Sequence, residues 1–362
     1  MNNKLKPLDN DEQYPEYIEK IYEFVIPNGQ LPERIDSYIT RNIKYGSRTK
    51  VSRAIETGNV TVNGLKCKPS QKTKAGDKII CIILKPPPIE LIPENIPLDI
   101  LYEDDYLLVV NKPAGMPSHP GFGNRTKTLV NAVLYHLGVR EPIAVDNNDD
   151  EDDDEQNEGS IFASDAVRPG LVHRLDKDTS GILVISKEPY IQTQLQKQFQ
   201  ERSTERFYYA ICWGLPKEDK GIIKGDIGRS TRNRKIFTVV KKGGKPSITE
   251  FEVLERHEHT SLIKLKLQTG RTHQIRVHSS WINHPVFGDY SYGGCSILFG
   301  GQNPYYKNKM EKCLIIAQRQ MLHAKTLAFT HPILKERISF ETELPEDMSK
   351  ILDILRIRNE TL

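Results

Sequence analysis

The densest polar cluster in the chain is RPGLVHRLDKDTSGILVISK, Arg168 to Lys187. It opens on the turn-forming pair Pro169-Gly170 and closes on an apolar strand, Ile182 to Ile185. His173, Arg174, Asp176, Lys177, Asp178, Thr179 and Ser180 stand between them. Such crowding just before a buried strand suits a loop presented on a rigid scaffold, where binding and catalytic groups concentrate. An ion-paired surface loop would have the same composition. A second cluster, LQTGRTHQIRVH, spans Leu267 to His278. A strand ends, Thr269-Gly270 turns, and the pattern predicts a helix over Thr272 to Ile282, with Arg271 just before it. At spacings of three and four, His273 and Thr272 share a helix face with Arg276. An arginine so placed can hold a carboxylate through two parallel hydrogen bonds, or bind phosphate.

Other chemistries fail on spacing. His273 and His278 are five apart, a poor zinc pair, and HExxH is absent, so no metal is expected. Gly121 to Thr126 (GFGNRT) lacks the third glycine of a dinucleotide fingerprint, and Gly244-Lys245-Pro246 lacks the spacing of a phosphate-binding loop. GDYSYGG, Gly288 to Gly294, only approaches the G-x-S-x-G of a hydrolase. Cys67, Cys81, Cys212, Cys295 and Cys313 are odd in number and scattered, which reads as reduced thiols in a cytosolic protein.

The elements that must position these clusters belong to a chain of 362 residues, enough for two domains. Lys and Arg total 51 against 48 Asp and Glu, a formal +3. That balance hides an asymmetry. The run Asp146 to Glu158 (DNNDDEDDDEQNE) holds nine acidic residues and no basic one, so the remainder sets 51 basic against 39 acidic residues, a formal +12. A polyanionic partner suits that excess. No apolar run approaches the roughly 18–20 residues of a membrane span, and the polar N-terminus does not resemble a signal peptide. A cytoplasmic protein with no membrane partner is expected.

Composition separates five stretches: a polar arm over 1–20, a small basic unit over 21–85, a Pro-rich linker over 86–98, a large mixed region over 99–345, and a C-terminal helix over 346–362. The acidic run lies within an insertion at about 143–165, too charged to pack. In the small unit the pattern predicts a short helix from Arg34, a second helix from Arg48 to Thr57 capped by Ser47 and ended by Gly58, and a strand, Val60 to Val62, leading into the Asn63-Gly64 turn. A further strand runs from Lys78 to Leu84. Arg34, Arg48, Lys50 and Arg53 can gather on one side, where they would meet phosphates. An ordinary solvated basic helix would look alike. In the large region, strands over Tyr106–Val110, Ile182–Ile185, Phe207–Trp213 and Leu262–Leu267 do not alternate strictly with helices over Thr128–Leu137 and Tyr190–Arg202. The expected architecture is α+β, with a mixed, largely antiparallel sheet flanked by helices.

In the small unit RIDSYI, SRTKVSRAIETGNVTVNG and KPSQKTKAGDKI resemble the RNA-binding domain named for the fourth small-subunit ribosomal protein. In the large one, VVNKPAGMPSHPGFGN, HRLDKDTSGILVISK, ERFYYAICWG, TGRTHQIRVH, HPVFGD and RQMLHAKTLAFTHP occur in the order of the RluA/RluD family of RNA pseudouridine synthases. The resemblance implies an isomerase acting on RNA, of the branch whose substrate is large-subunit ribosomal RNA, within a ribosome assembly intermediate. It implies no cofactor, and a monomer is expected.

Residue by residue, the resemblance puts the nucleophile on Asp176, the base-stacking tyrosine on Tyr208, the cation paired with the carboxylate on Arg276, and the arginine beside the flipped base on Arg174. His173, Arg271 and His273 join Arg174 as candidate substrate contacts. Tyr209 stands next to Tyr208, and strand alternation sends the two to opposite faces. Only the register of Ala210 and Gly214 favours Tyr208. The acidic insertion departs from the family pattern. A non-catalytic ribosomal RNA-binding or assembly factor of the same fold is the alternative, and Asp176, Tyr208 and Arg276 together speak against it.

Overall fold

The computed structural model describes residues 18–43, 48–85, 89–120, 124–145, 170–231, 233 and 236–357. The acidic run, most of the polar arm, Lys44, Ser47, Arg168 and Pro169 lie outside them. The described residues fall into two compact units, 18–89 and 90–357.

The first unit is a four-stranded antiparallel sheet carrying two helices. Strand β1 (Ile18–Val25) is followed by helices α1 (Ile35–Asn42) and α2 (Arg48–Glu56), then by β2 (Val60–Val62), β3 (Leu65–Lys66) and β4 (Lys78–Lys85). Sheet order is β1-β4-β2-β3. The helices bury Ile35, Tyr38 and Ile39, and Val51, Ala54 and Ile55, on single faces at the spacing an amphipathic helix requires. Asn63 and Gly64 both take positive φ (50° and 79°), the two-residue hairpin geometry their types favour. Strand β1 corrects the sequence reading, which left its first residues in a polar arm. IEKIYEFV puts apolar residues on both faces, with Ile21 and Val25 exposed and Phe24 packed inward, so no clean alternation marks it.

The second unit begins with β5 (Ile89–Leu91), β6 (Ile100–Glu103), β7 (Leu107–Lys112), α3 (Leu129–His136), β8 (Ile143–Val145), β9 (Gly170–Leu171), β10 (Ser180–Ser186) and α4 (Pro189–Gln200). It continues through β11 (Glu205–Trp213), β12 (Lys220–Lys224), β13 (Ile227–Arg229), β14 (Phe237–Val239), β15 (Ile248–Arg256), β16 (Thr260–Leu267), α5 (Gln274–Trp281), α6 (Pro304–Ile316), β17 (Leu322–Thr330), β18 (Arg337–Glu341) and α7 (Glu346–Arg356). The main sheet runs β12-β15-β16-β11-β17-β10-β7-β6. Its described pairings are antiparallel except β10 with β17, so the architecture is the expected α+β, largely antiparallel one. That parallel contact needs Gly181. Its φ is +119°, and a Cβ there would stand 2.3 Å from the Ala324 carbonyl oxygen. One core layer joins α4 to β7 and β10 through Ile191, Leu195, Val109 and Val184. Another joins α6 and α7 to the opposite end of β11 through Met310, Cys313, Ile351 and Trp213.

Two stretches read as loose are packed. Pro86 to Pro88 lie outside the described residues, but β5 pairs with β8, Leu91 is fully buried, and the Asn131 side chain donates to the Ile92 carbonyl at 2.7 Å. The supposed linker is therefore held on α3 at Ile92 and Glu94. Likewise Ile143–Val145, read as the start of the insertion, is strand β8. Proline content and nearby charge masked both short strands.

Candidate active site

The loop between β9 and β10 carries Asp176, and the rest of the unit holds it still. Within the loop, Thr179 N–H donates to the Asp176 carbonyl at 3.0 Å, closing a turn. From the β7 side, Ser118 Oγ donates to the Leu175 carbonyl (2.8 Å) and accepts its N–H (3.2 Å). Lys112, buried at the end of β7, gives its ammonium to three carbonyls: Pro113 (2.9 Å), Met116 (2.8 Å) and Lys177 (3.1 Å). From the β17 side, Arg319 Nη1 donates to the Asp178 carbonyl at 3.1 Å while Asp347 holds the same guanidinium. Gln320 Nε2 donates to Thr179 Oγ1. The loop is thus pinned by buried donors from three other segments.

The second cluster meets it through α5. That helix starts at Gln274, not Thr272 as the spacing predicted. The buried Gln274 side chain accepts from Arg271 N–H and Thr269 Oγ1, and donates to Ile248 O and Thr249 Oγ1, which stops the helix from extending backward. His273 is its N-terminal flanking residue, in the left-handed region (φ 56°). Arg276, one turn in, is buried and forms the centre of the site. Its Nε and Nη2 donate to Asp289 Oδ2 and Oδ1 (2.7 and 2.9 Å), and its Nη1 donates to Asp176 Oδ2 at 3.0 Å. Asp289 is fully buried, and its Oδ1 also accepts from Ser291 N–H and Tyr292 N–H. The guanidinium lies 4.9 Å from the Tyr292 ring centre.

Asp176 keeps 22% of its side chain open to solvent. Burial pushes its carboxyl upward, but His273, Arg276 and Arg174 outweigh that and hold it below the usual range, so it stands ionised at neutral pH. Burial lowers the Arg276 guanidinium, yet its bonds to Asp289 and Asp176 raise it overall. Tyr208, on β11 opposite Leu265 and Ala324, is buried near Asp176; burial raises its phenol and the carboxylate's charge adds to that. Tyr209 turns to the other face and packs against the α6–α7 core.

The structure therefore brings Asp176, Arg276, Tyr208 and His273 together, with exposed Arg174 beside them. His273 Nε2 lies 3.9 Å from Asp176 Oδ2. His173 sits apart. It is buried, stacks on Phe199 at 4.8 Å between ring centres, and accepts the Val184 N–H on Nε2. Burial, aided by Arg206, pushes its imidazole down to about 3, so it is a neutral packing residue and not a charged substrate contact. Arg271 directs Nε to the Pro246 carbonyl at 3.4 Å. Sequence reasoning missed Asp289, Tyr292 and Lys112, although all three lie in segments already singled out: GDYSYGG for the first two and VVNKPAG for the last.

In the first unit, Arg34 and Arg48 converge on one buried carboxylate. Arg34 Nε and Nη2 pair with Asp36 at 3.0 and 2.8 Å, and Arg48 Nε and Nη2 approach Asp36 Oδ2 at 3.3 Å. The hydrogen bond from Arg34, helped by Arg48, holds the Asp36 carboxyl down to about 2. The two cations are thus a pre-ordered pair around one anion, with side chains 46% and 59% exposed. The side chains of Lys50 and Arg53 lie outside the described ones.

Residues 106–281 match the family model for RNA pseudouridylate synthase, and residues 33–79 match that for the S4 domain. A Chlorobaculum parvum protein described as an RNA pseudouridine synthase is 44% identical over 90% of this chain and 95% of its own length. A Neisseria meningitidis protein described as ribosomal large subunit pseudouridine synthase D is 39% identical over 90% of this chain and 79% of its own. Among solved structures, human RNA pseudouridylate synthase domain containing 4 superposes with a TM-score of 0.51 at 24% identity, covering 71% of this chain and 92% of that one, a likeness of fold.

Proposed function

Because the chain belongs to the RNA pseudouridine synthase family, we propose that it isomerises particular uridines of large-subunit ribosomal RNA to pseudouridine, with Asp176 as nucleophile. The observation that carries this reading is the arginine bridge: Arg276, gripped by Asp289, presents its remaining nitrogen to Asp176 at 3.0 Å. The carboxylate is kept ionised and oriented in a pinned loop, which is what a nucleophilic carboxylate requires.

The reaction breaks the N-glycosidic bond, turns the uracil and rejoins it to the sugar through carbon. No electrons are gained or lost overall and no phosphoryl group moves, so the chemistry balances without a cofactor. The target nucleotide must leave its stack, which costs a few kcal/mol. The Tyr208 ring and the exposed Arg174 guanidinium offset this by stacking and by cation–π attraction. The ribosomal preference draws support from the Neisseria relative, whose description names the large ribosomal subunit, and from the S4-type unit with its cationic pair.

Pseudouridine mapping of total RNA with and without the gene tests the substrate, with wild type and Asp176→Asn as complements. Specific large-subunit sites should vanish with the gene and return with wild type only. Loss confined to transfer RNA would remove the ribosomal assignment. Single-turnover rates for Asp176→Asn within roughly tenfold of wild type would remove the nucleophile.

A further inference from the structure

His273 occupies a backbone conformation that non-glycine residues seldom adopt, φ 56°, and this turns its imidazole into the site. Three groups surround the ring. Nε2 faces Asp176 Oδ2 at 3.9 Å, Nδ1 lies 2.8 Å from the Tyr292 hydroxyl, and the rings of Phe237 and Tyr292 meet it edge-on. The Tyr292 oxygen already accepts the Phe237 N–H at 3.1 Å. A phenol that accepts one N–H is best satisfied by donating its own proton, here to His273 Nδ1. That assignment leaves the proton on Nε2 and turns an N–H, not a lone pair, toward the carboxylate. At 3.9 Å the contact is a charge facing a dipole and is too long for a hydrogen bond. The charged groups around the imidazole are Asp176, Asp289, Arg276 and Arg174, with Arg229 behind the Phe237 ring. Burial lowers the imidazole and keeps it neutral.

We propose that His273, fixed by the Tyr292 hydroxyl, is a positioning residue of the isomerisation: it holds Asp176 Oδ2 on the Arg276 side and leaves Oδ1 to meet the target nucleoside. The inference rests on Asp176 being the nucleophile. Arg276 and His273 approach the same carboxylate oxygen, so together they define which oxygen stays behind. The Nε2–H dipole also favours the ionised carboxylate, so losing it makes Asp176 easier to protonate.

Two substitutions separate this role from packing. His273→Asn keeps a residue that tolerates the left-handed backbone and an amide near Tyr292, but has nothing in the place of Nε2. His273→Gln restores an N–H there. With an RNA stem-loop containing a mapped target uridine, His273→Asn should lower kcat on the order of tenfold with KM unchanged. Because Arg276 still holds Asp176 ionised in the variant, the loss should be the same at pH 6 and pH 8.5. His273→Gln should recover most of the rate, and Tyr292→Phe should fall between the two. A rate for His273→Asn equal to or above that of His273→Gln, or a loss carried by KM and not kcat, would overturn the role. Asp176→Asn run alongside separates the two claims. An inactive Asp176→Asn with a full-rate His273→Asn refutes only the positioning role, whereas an active Asp176→Asn refutes the nucleophile beneath it.

Discussion

Asp289 grips Arg276 through two hydrogen bonds, 2.7 and 2.9 Å, at a point where both side chains are buried. The pair fixes the direction of the third guanidinium nitrogen, which is the one that meets Asp176. Asp289 never needs to touch substrate for its geometry to reach the reaction.

Replacing Asp289 with Asn removes one charge of a buried pair and offers the guanidinium an amide N–H instead of a carboxylate oxygen. Breaking such a pair by altering one partner costs about 3–5 kcal/mol. Urea denaturation should show a loss of that order, and turnover should fall even where the variant is fully folded, because Arg276 is no longer aimed. Wild-type stability and rate for Asp289→Asn would show that the bridge is idle.

The two adjacent tyrosines should separate by property. Tyr208→Ala should cut turnover with little effect on RNA affinity, since its ring lies by Asp176. Tyr209→Ala should cost stability, about 2 kcal/mol for a partly buried ring, because it packs on the α6–α7 core. Rates and unfolding midpoints of both variants, measured together, check the assignment; a reversed pattern would mean that Tyr209 faces the site.

That pair also marks how far the sequence alone could be read. Strand alternation separates Tyr208 from Tyr209, but which face holds the carboxylate depends on a register shift beside Phe207 that has no local signature. Asp176 and Arg276 were legible as members of two polar clusters, although they stand 100 residues apart and their contact is purely tertiary. His173 carries the same local signal as Arg174, yet Phe199 on α4 takes it into the core. Asp289 and Lys112 were hidden for a simple reason. A lone carboxylate or lysine in a loop has no periodicity, and only convergence in space reveals its partner.

In the first unit, Arg48→Gln leaves the bidentate Arg34–Asp36 pair in place, so the fold should persist. If Arg48 meets a phosphate, affinity for structured RNA should drop and the slope of log affinity against log salt should become shallower by about one. Filter binding or fluorescence anisotropy over a salt series measures it. An unchanged slope would mean that Arg48 serves only to neutralise Asp36.

Lys112 links the chemistry to pH through the loop that carries Asp176. Burial, opposed by the charges of Asp176 and Asp178, pushes its ammonium down to about 7, against about 10.4 for a free lysine. Between those values the unfolded chain holds the extra proton, so the contribution of Lys112 to stability rises with pH. Buried thiols at Cys81, Cys212 and Cys313 titrate in the same range with the opposite sign, so the effect must be read against Lys112→Met, where they cancel. Wild type should gain on that variant by about 2 kcal/mol between pH 7 and pH 9. Activity should move the other way. The charged amine supplies three N–H donors to three carbonyls, and the neutral amine supplies two, so one of the contacts to Pro113, Met116 or Lys177 is lost. The Lys177 contact is the longest at 3.1 Å and the one that steadies Asp176. Single-turnover rates of wild type should therefore decline above about pH 7 toward those of Lys112→Met, while its relative stability climbs. Rates that rise together with stability over this range would show that the loop is held by Ser118, Arg319 and Gln320 without help from the Lys112 charge.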